Sequence, residues 1–354
     1  MILLGIETSC DETAAAVVAT TGDATRPWAI RSNVVASQVA IHREWGGVVP
    51  ELASRQHVRD ICGVVERALG DAAVGWPALG GVAVTHGPGL VGSLLVGLAF
   101  AKAAAWAHGL PLLAVNHLAG HLESLWLAHG PLPLPALVLV VSGGHTSLYL
   151  VPEAGTYRLL GRTRDDAAGE AYDKVAKLIG LGYPGGPLID RLAATGDDTA
   201  VDLPVTRLTH RDRNAPEREG RFDFSFSGIK TAVLRHVRAR QAALGVDRLP
   251  DAEIAGLCAS FQRTVVRSLL GRTAEAASWS GARSIGVAGG VSANSRLRRD
   301  LEALGQSRGL PVFVPPMALA TDNAAMIAAA GLRLVEAGRF AAANVNAVPS
   351  LTLG

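Results

Sequence analysis

The sequence predicts an α/β fold made of two lobes that share one architecture. Two apolar strands around a polar turn occupy residues 2–19 and again residues 136–151. A strand followed by a glycine turn and a helical pattern begins at residue 81 and again at residue 284. We interpret this repetition as an internal duplication. Duplicated α/β lobes place their turns on a central cleft, where ligands usually bind.

The first half contains four apolar runs that we predict to be strands. ILLGI (2–6) and AAAVVA (14–19) flank the polar turn TSCDET, which is the pattern of a hairpin. GVAVT (81–85) leads into the glycine turn HGPGLVG and a long helical pattern. PLLAV (111–115) precedes VNHLAGHLES, where a helix is expected. Polar residues therefore follow strand ends, where the sites of α/β proteins open.

The second half repeats the scheme. ALVLVV (136–141) and TSLYLV (146–151) flank the turn SGGH, and SIGVA (284–288) leads into GGVSAN and a helix. The 40 glycines of the chain agree with many tight turns between strands and helices.

A chain of 354 residues is long enough for two domains. We place an N-terminal lobe at residues 1–130 and a C-terminal lobe at residues 131–322. The second lobe carries a helical and loop insertion at about residues 160–260. A C-terminal helix at residues 323–354 is expected to pack back on the first lobe.

The charge balance excludes a global basic field for nucleic acid, because the net charge is only +2. The excess of basic over acidic residues is confined to part of the chain. Residues 206–240 hold nine Lys and Arg against four Asp and Glu, and residues 206–221 are the most loop-like segment. This segment fits either a solvated surface or a contact to nucleic acid. Arg296, Arg298 and Arg299 form a second candidate contact.

The remaining composition argues against secreted and membrane proteins. Cys10, Cys62 and Cys258 form no CxxC pair, and the N-terminus lacks the basic start of a signal peptide. Only two residues between 72 and 152 are charged, but prolines and glycines cut this stretch into short pieces. We expect a cytoplasmic protein with no membrane span. The apolar stretch fits either a buried core or a helix surface used for dimerisation.

His117 and His121 are candidate metal ligands. Their i, i+4 spacing places both imidazoles on one face of a helix. The zincin motif HExxH is absent, because Leu118 occupies the position of its glutamate. Asp322 is a candidate third ligand. As an alternative, Asp322 or Thr321 would cap a helix that begins at Asn323.

Three glycine turns are candidate anion sites. SGGH (142–145) lies at a strand end, and GGVSAN (289–294) and GPGLVGS (87–93) each open a helix, where backbone amides favour an anion. Together they suggest a nucleotide or another phosphorylated ligand. None matches GxxxxGK[ST] or a full GxGxxG, so neither a P-loop nor a Rossmann site is assigned.

Carboxylates occur beside these turns. Asp173 and Glu170 lie in DDAAGEAYDK, and either can bind ribose hydroxyls or magnesium, or simply face solvent. Asp11 and Glu12 lie at the first hairpin tip, between apolar strands. Either of these two can position a cation or accept a proton.

The motifs taken together resemble one family, the universal tRNA adenosine threonylcarbamoyltransferases, once labelled O-sialoglycoprotein endopeptidases. The resemblance covers roughly residues 2–335 and points to the bacterial branch. Its motifs occur in the family's order: GIETSCDETAAAVV, GGVVPELASRQH, THGPGLVGSLLVG, NHLAGH, VSGGHTSL, DDAAGEAYDKVAKLIGLGYPGGP, FSFSGIKTA, GGVSANSRLR and TDNAAMIA. One departure is Ala320, where family members often carry Cys.

The resemblance implies an ASKHA-type fold, the architecture of actin, Hsp70 and sugar kinases. It implies that His117, His121 and Asp322 bind one divalent metal, iron(II) in first place and zinc in second. Magnesium can accompany the nucleotide. It also implies a substrate site for the adenylate or threonylcarbamoyl group, lined by Val140, Val141, Ser142, Gly143, Gly144, Asp173, Gly186, Asp190 and Asn294.

The implied reaction moves threonylcarbamoyl from threonylcarbamoyl-AMP to N6 of adenosine 37 in the anticodon loop of tRNAs reading ANN codons, and releases AMP. An exocyclic adenine amine is a poor nucleophile, so a carboxylate that takes its proton would help. Asp11 is our candidate for this base, and Glu12 is the second. The resemblance further implies a paralogous non-catalytic subunit and a small ATPase as partners.

Three other functions compete with this interpretation. A metalloprotease would agree with the old family label, but the HExxH glutamate is missing. A small-molecule kinase would share the fold and the glycine turns, but phosphoryl transfer does not need a His–His–Asp metal site. A non-catalytic scaffold should lack the candidate metal ligands, which this chain retains.

Overall fold

The structure is a computed structural model that describes residues 1–206, 208 and 221–354. Most of the loop-like segment predicted at 206–221, and with it much of the basic segment 206–240, therefore lies outside the described residues. The described chain forms two compact units. The first consists of Met1–Leu132, Ala154–Thr156 and Pro315–Gly354, and the second of Pro133–Glu153 and Tyr157–Val314.

The first unit is built on a five-stranded mixed sheet. Its strands and helices are β1 (Ile2–Glu7), β2 (Glu12–Thr20), β3 (Trp28–Ser37), α1 (Val39–Arg43), α2 (Pro50–Asp71), β4 (Gly81–Gly87), α3 (Val91–His108), β5 (Leu112–Asn116), α4 (His117–His129), α10 (Met317–Ala320) and α11 (Ala324–Glu336). The strand order is β3-β2-β1-β4-β5. β1 pairs antiparallel with β2 and parallel with β4, so that Ile6 lies opposite Ala15 on one side and Val84 on the other.

The second unit is built on a second five-stranded mixed sheet. Its strands and helices are β6 (Ala136–Val141), β7 (Thr146–Val151), β8 (Arg158–Arg162), α5 (Ala168–Leu178), α6 (Gly185–Ala193), α7 (Ser227–Leu244), α8 (Asp251–Ser280), β9 (Ser284–Ala288), α9 (Ser295–Arg308) and β10 (Val312–Phe313). The strand order is β10-β9-β6-β7-β8. β6 pairs antiparallel with β7 and parallel with β9.

The two sheets have the same topology, which confirms the predicted duplication of an α/β architecture. Each sheet starts with a hairpin, adds a third antiparallel strand, and then adds two parallel strands on the other side of the first strand. The central strands β1 and β6 are almost continuously buried and apolar. Such strands are covered by other elements on both faces, which explains why no polar residues alternate within them.

Helix α11 packs closely on β1 because small residues line both elements. A Cβ added at Gly5 would lie 2.3 Å from the carbonyl oxygen of Ala324 and 2.9 Å from the Cβ of Ala328. A Cβ at Gly331 would lie 2.6 Å from the Cβ of Ala83 on β4. The absence of a side chain at these glycines therefore sets the distance between the helix and the sheet.

Two expectations require correction. The helix predicted at 323–354 ends at Glu336, and Gly338 then takes a left-handed conformation that turns the chain away from the helical path. Core burial holds for α4, in which residues 117–127 are all buried, but not for the outer face of α3. There Trp106 is 88% exposed.

Among the described residues, α3 is the one helix that is long and apolar enough to cross a membrane, and a third of it is buried. The core helix of a soluble protein passes the same test, so this finding is weak evidence for a membrane span.

The packing of α11 on β1 can be tested with two glycine substitutions. We expect Gly5→Ala to lower the free energy of unfolding by about 1–3 kcal/mol, because backbone atoms must move to admit the methyl group. Gly63→Ala on α2 is the matched control, since its Cβ would meet no atom within 4 Å. It should raise stability by about 0.5–1 kcal/mol through helix propensity. Equal unfolding curves for Gly5→Ala and the native chain would contradict this explanation of the packing.

Candidate metal centre and nucleotide-binding turns

Helix α4 presents the two candidate metal ligands at its first turns. The side chain of Asn116, at the end of β5, caps the helix by accepting hydrogen bonds from the amides of Leu118 (2.9 Å) and Ala119 (3.4 Å). His117 and His121 then project from the same face, with ring centroids 4.7 Å apart. Both side chains are buried. The strand end and its cap thus fix where the imidazoles point.

Asp322 reaches the same point from the start of α11. The cap of α11 is Asn323, whose Oδ1 accepts from the amide of Met326 at 3.1 Å, and not Asp322 or Thr321, which the sequence offered as alternatives. The Asp322 carboxylate is therefore not needed to cap the helix. Its Oδ1 lies 3.2 Å from His121 Nε2 and 3.6 Å from His117 Nε2.

The donor set fits a divalent metal ion. One ligand atom each from His117, His121 and Asp322 can be chosen so that all three lie within 4.8 Å of one another. Both ring nitrogens of His121 are buried, and neither has hydrogen-bond geometry to any described residue, although Asp322 Oδ1 lies 3.2 Å from Nε2. Buried polar atoms of this kind are costly unless something binds them. Two imidazoles and a carboxylate suit zinc, iron and related ions, and three protein ligands leave a coordination position open.

Glu7, which the sequence motifs do not single out, supports this centre. Its Oε2 lies 2.9 Å from His117 Nδ1 and accepts a hydrogen bond of 2.7 Å from Thr85 Oγ1. A carboxylate on the second nitrogen fixes the tautomer of a histidine ligand, so that Nε2 faces the metal. The signal in the sequence is an acidic residue that closes the apolar strand ILLGIE, and in the structure it is fully buried.

The carboxylates of Glu7 and Asp322 affect the protonation of His117, and His117 affects that of Glu7. Burial opposes protonation of His117, but the Asp322 and Glu7 carboxylates outweigh it and raise its pKa to about 9. Burial likewise tends to raise the pKa of Glu7, but His117 outweighs it and holds the pKa below its ordinary value. In the metal-free protein a proton therefore neutralises part of this anionic cluster.

The tip of the first hairpin carries Asp11 and Glu12. Asp11 is buried, and its carbonyl oxygen accepts a hydrogen bond of 2.9 Å from the amide of Gln38. Burial and the neighbouring Asp11 carboxylate raise the pKa of Glu12 to about 10. Glu12 therefore holds its proton more tightly than an ordinary glutamate does, and in its protonated form it can donate a hydrogen bond.

In the second unit, the predicted substrate residues begin at the end of β6. Val140 and Val141 are buried strand residues, and the turn after them is closed by a 2.8 Å bond from Ser142 N to the carbonyl of His145. Gly143 and Gly144 are exposed at the turn, and a Cβ at either would meet no atom within 4 Å. Open space beside two glycine amides suits a phosphate or carboxylate group.

Two other glycine-containing turns lie in close contact with the end of β6 and the SGGH turn. A Cβ at Gly169, at the start of α5, would lie 2.5 Å from the carbonyl oxygen of Ser142. A Cβ at Gly289, at the end of β9, would lie 2.4 Å from the carbonyl oxygen of Val141. The end of β6 is thus in contact with both neighbouring turns.

Asp173 links α5 to α6. Its Oδ1 accepts a 2.7 Å hydrogen bond from the amide of Gly185, the residue before Gly186. A Cβ at Gly185 would lie 2.6 Å from the Cβ of Ala176, so the start of α6 is packed tightly against α5. This carboxylate therefore binds the first turn of α6, in addition to its predicted place in the substrate site.

Asp190 and Asn294 also meet. Asp190 Oδ1 accepts from Ser295 Oγ at 2.7 Å and from Asn294 Nδ2 at 3.2 Å. The same Asn294 amide donates to Gln262 Oε1 at 2.8 Å. Gln262, a buried polar residue on α8, belongs to none of the sequence motifs.

These contacts correct two of the three predicted anion sites. At the start of α9 the amide of Leu297 bonds to Asn294 Oδ1, and the Asp190 carboxylate takes the amide of Ser295 at 3.3 Å. In GPGLVGS the amides of Gly89 and Leu90 bond to the carbonyls of Pro349 and Ser9. A negatively charged ligand is therefore disfavoured at the start of α9, where the Asp190 carboxylate lies. In the GPGLVGS turn such a ligand has fewer backbone amides to accept from. The SGGH turn is the best remaining site.

The two basic regions predicted to contact nucleic acid differ in whether their arginines form ion pairs. Arg296 bonds to Asp198 at 2.6 Å and to Asp300 at 2.7 Å, and Arg299 also bonds to Asp300. Arg298 donates to the carbonyl of Ser292. The two carboxylates therefore neutralise this cluster in part. On α7, by contrast, Arg235 and Arg238 are exposed and form no ion pair with any described residue.

The chain is similar to known proteins along almost its whole length. The sequence model of the family described as tRNA N6-adenosine threonylcarbamoyltransferase matches residues 29–329. A protein of that name from Moorella thermoacetica is 50% identical over 352 residues, covering 99% of this chain and 97% of its own length. Another from Anaeromyxobacter dehalogenans strain 2CP-C is 52% identical, covering 99% of both chains.

Solved structures support the fold. Component A of the (R)-2-hydroxyglutaryl-CoA dehydratase of Acidaminococcus fermentans matches with a TM-score of 0.52 at 16% identity, over 96% of this chain and 100% of its own. The activator of the 2-hydroxyisocaproyl-CoA dehydratase of Clostridium difficile matches with a TM-score of 0.51 at 15% identity, over 96% of both chains. Such low identities show the fold alone. Together with the repeated strand order, they confirm the predicted ASKHA-type fold.

The metal centre can be tested by direct metal titration. We expect His121→Ala to abolish tight binding of iron(II) or zinc, because it removes a ligand. Glu7→Gln should weaken binding by about 10- to 100-fold, the usual effect of removing a partner of a metal-bound histidine. His129→Ala, on the last turn of the same helix, is the matched control and should bind like the native chain. Unchanged affinity in His121→Ala would rule out this site.

Proposed function

Because the chain belongs to the tRNA N6-adenosine threonylcarbamoyltransferase family, we propose that it transfers a threonylcarbamoyl group to N6 of an adenosine in tRNA. The observation that carries this proposal is about 50% identity to proteins of that name along the whole chain. The buried cluster of His117, His121 and Asp322 supports it, because neither a kinase nor a scaffold requires such a cluster. We propose adenosine 37 of ANN-decoding tRNAs as the acceptor and threonylcarbamoyl-AMP as the donor.

The donor contains a mixed carbamic–phosphoric anhydride, so AMP is already a good leaving group. In the transfer, N6 of the adenine attacks the carbamoyl carbon, the bond from this carbon to the phosphate oxygen breaks, and AMP leaves. We assign the phosphate to the exposed amides of Gly143 and Gly144. This follows from the open space beside them and from the carboxylate already present at the start of α9.

Polar side chains beside the SGGH turn are suited to the nucleoside. Asp173, Asp190 and Asn294 each have one or more hydrogen bonds that fix their orientation before any ligand arrives. Preorganised groups of this kind bind a ribose or a base without first having to become ordered. Magnesium can accompany the phosphate.

His117, His121 and Asp322 would hold one divalent metal, with iron(II) ahead of zinc. When bound, such an ion supplies a Lewis acid for an oxygen ligand at its open position. Glu7 orients His117 for this role through Nδ1.

The proton released by N6 needs an acceptor. Asp11 is our candidate, and the raised pKa of Glu12 supports this choice, since burial and the Asp11 carboxylate favour the protonated form of Glu12. Glu12 instead remains a hydrogen-bond donor at the same hairpin tip. The acceptor base must also be unstacked, which is cheaper in an anticodon loop than in a duplex.

A tRNA-modifying enzyme works where tRNA is present, so we place it in the cytoplasm. We also propose the two partners that the family resemblance implies, a paralogous non-catalytic subunit and a small ATPase. Adding each to the purified chain would show which of them the transfer requires.

A paired substitution at the hairpin tip tests the base. In a single-turnover assay with threonylcarbamoyl-AMP and unmodified tRNA, we expect Asp11→Asn to slow transfer by about 10²–10⁴-fold, the usual contribution of a general base. Glu12→Gln should retain most of the rate, because a neutral amide resembles the protonated acid. Modified adenosine is measured by mass spectrometry of nucleosides. A fast Asp11→Asn and a slow Glu12→Gln would reverse the assignment.

The basic face of α7 is our candidate contact to the tRNA backbone. We expect the double variant Arg235→Glu, Arg238→Glu to weaken tRNA binding. The slope of log affinity against log salt should fall by about one for each phosphate that the variant no longer binds. Arg299→Glu is the control, because this exposed arginine is already paired with Asp300. If both variants behaved like the native chain, tRNA would bind elsewhere.

A further inference from the structure

A buried histidine on α2 holds the hairpin tip that carries Asp11. His57 is completely buried. Its Nδ1 lies 2.8 Å from Thr13 Oγ1, and its Nε2 lies 3.0 Å from the carbonyl oxygen of Cys10. One imidazole therefore bonds to both sides of the two-residue segment Asp11–Glu12.

The partners define the state of this imidazole. A carbonyl oxygen only accepts hydrogen bonds, so Nε2 must carry the hydrogen that is donated to Cys10. Nδ1 then accepts the hydroxyl hydrogen of Thr13, and Gln38 Nε2 lies 3.3 Å from the same nitrogen. Burial lowers the pKa of His57, which keeps the ring neutral. The ring thus has a single tautomer, and both of its nitrogens are occupied.

The same network holds Asp11 from a third direction. Gln38, which touches His57 through its side chain, donates its backbone amide to the carbonyl of Asp11 at 2.9 Å. Gln38 also accepts from His42 Nε2 at 3.2 Å, so a second buried histidine fixes the glutamine. The position of the Asp11 backbone is therefore set by residues before it, after it and opposite it.

We infer that His57 is a positioning residue for the transfer reaction, which fixes the Cys10–Thr13 tip so that the Asp11 carboxylate meets the attacking amine. This inference rests on the proposed function and on the role of Asp11 in it. A misplacement of about 1 Å can cost about 100-fold in rate, so removing this support should slow the chemical step.

Two amide substitutions separate positioning from simple packing. In His57→Gln the amide nitrogen can reach the place of Nε2 and keep the bond to Cys10. In His57→Asn the shorter side chain reaches only the place of Nδ1. We expect His57→Asn to slow single-turnover transfer by about 100-fold, and His57→Gln to stay within about tenfold of the native rate. The concentrations of donor and tRNA that give half the maximal rate, and the metal affinity, should not change in either.

Ser32→Ala is the matched control. Ser32 Oγ donates to the carbonyl of Ala68 at 2.6 Å and accepts from Val17 N, so it joins α2 to the sheet far from the tip. It should lower stability without changing the transfer rate. If His57→Asn does not fold, His57→Leu gives the same test, because its apolar side chain cannot make the bond to the carbonyl of Cys10.

Hydrogen exchange gives a reading that needs no substrate. In His57→Asn, the amides of the tip should exchange faster than in the native chain, while those of α4 should not change. Equal decreases of rate in the Gln and Asn variants, or unchanged exchange at the tip, would overturn the inference. A native chain that makes no product even when the two proposed partners are added would instead refute the proposed function. An active Asp11→Asn would refute the role of Asp11, and with it the positioning role of His57, but not the proposed function.

Discussion

The close packing of α11 on β1 is the constraint on which the metal centre depends. Asp322 precedes α11, whereas His117 and His121 lie far earlier in the chain, at the end of another strand of the same sheet. A Cβ at residue 5 would lie 2.3 Å from the carbonyl oxygen of Ala324, two residues after Asp322, so a side chain there would push the start of the helix away from the sheet and from the imidazoles. The small residues between α11 and β1 thus determine whether Asp322 can lie beside the two histidines.

A buried ion pair also joins α11 to α4. Arg333 on α11 donates to Glu123 on α4 at 3.1 Å, and its guanidinium lies 4.4 Å from the ring centre of Trp28. Glu123 is fully buried, so removing Arg333 would take away a cation that compensates its charge. This pair accounts for the single acidic residue of α4. It also fixes the register of α4 against α11, and with it the meeting of the three ligands.

The sequence predicted seven of the ten described strands, the duplication and the histidine pair because each depends on local patterns, whereas β3, β8 and β10 were missed. The runs around TSCDET and SGGH alternate with turns at short range, and an i, i+4 spacing is a property of one helix. Glu7, His57 and Gln262 were missed because their roles arise from partners far along the chain. The cap of α11 was misplaced by one residue for a similar reason, since Asp322 and Asn323 are both good caps and only the tertiary contacts of the carboxylate separate them.

Removing and restoring the metal during transfer tests most directly whether the buried cluster serves the reaction. Chelated protein would be assayed in single turnover with threonylcarbamoyl-AMP and unmodified tRNA, and then titrated with iron(II) or zinc. We expect the chelated chain to form little modified adenosine, and activity to return and saturate at one metal ion per chain. Transfer by the metal-free protein at the native rate would contradict this expectation, because His117, His121 and Asp322 would then have no part in the reaction.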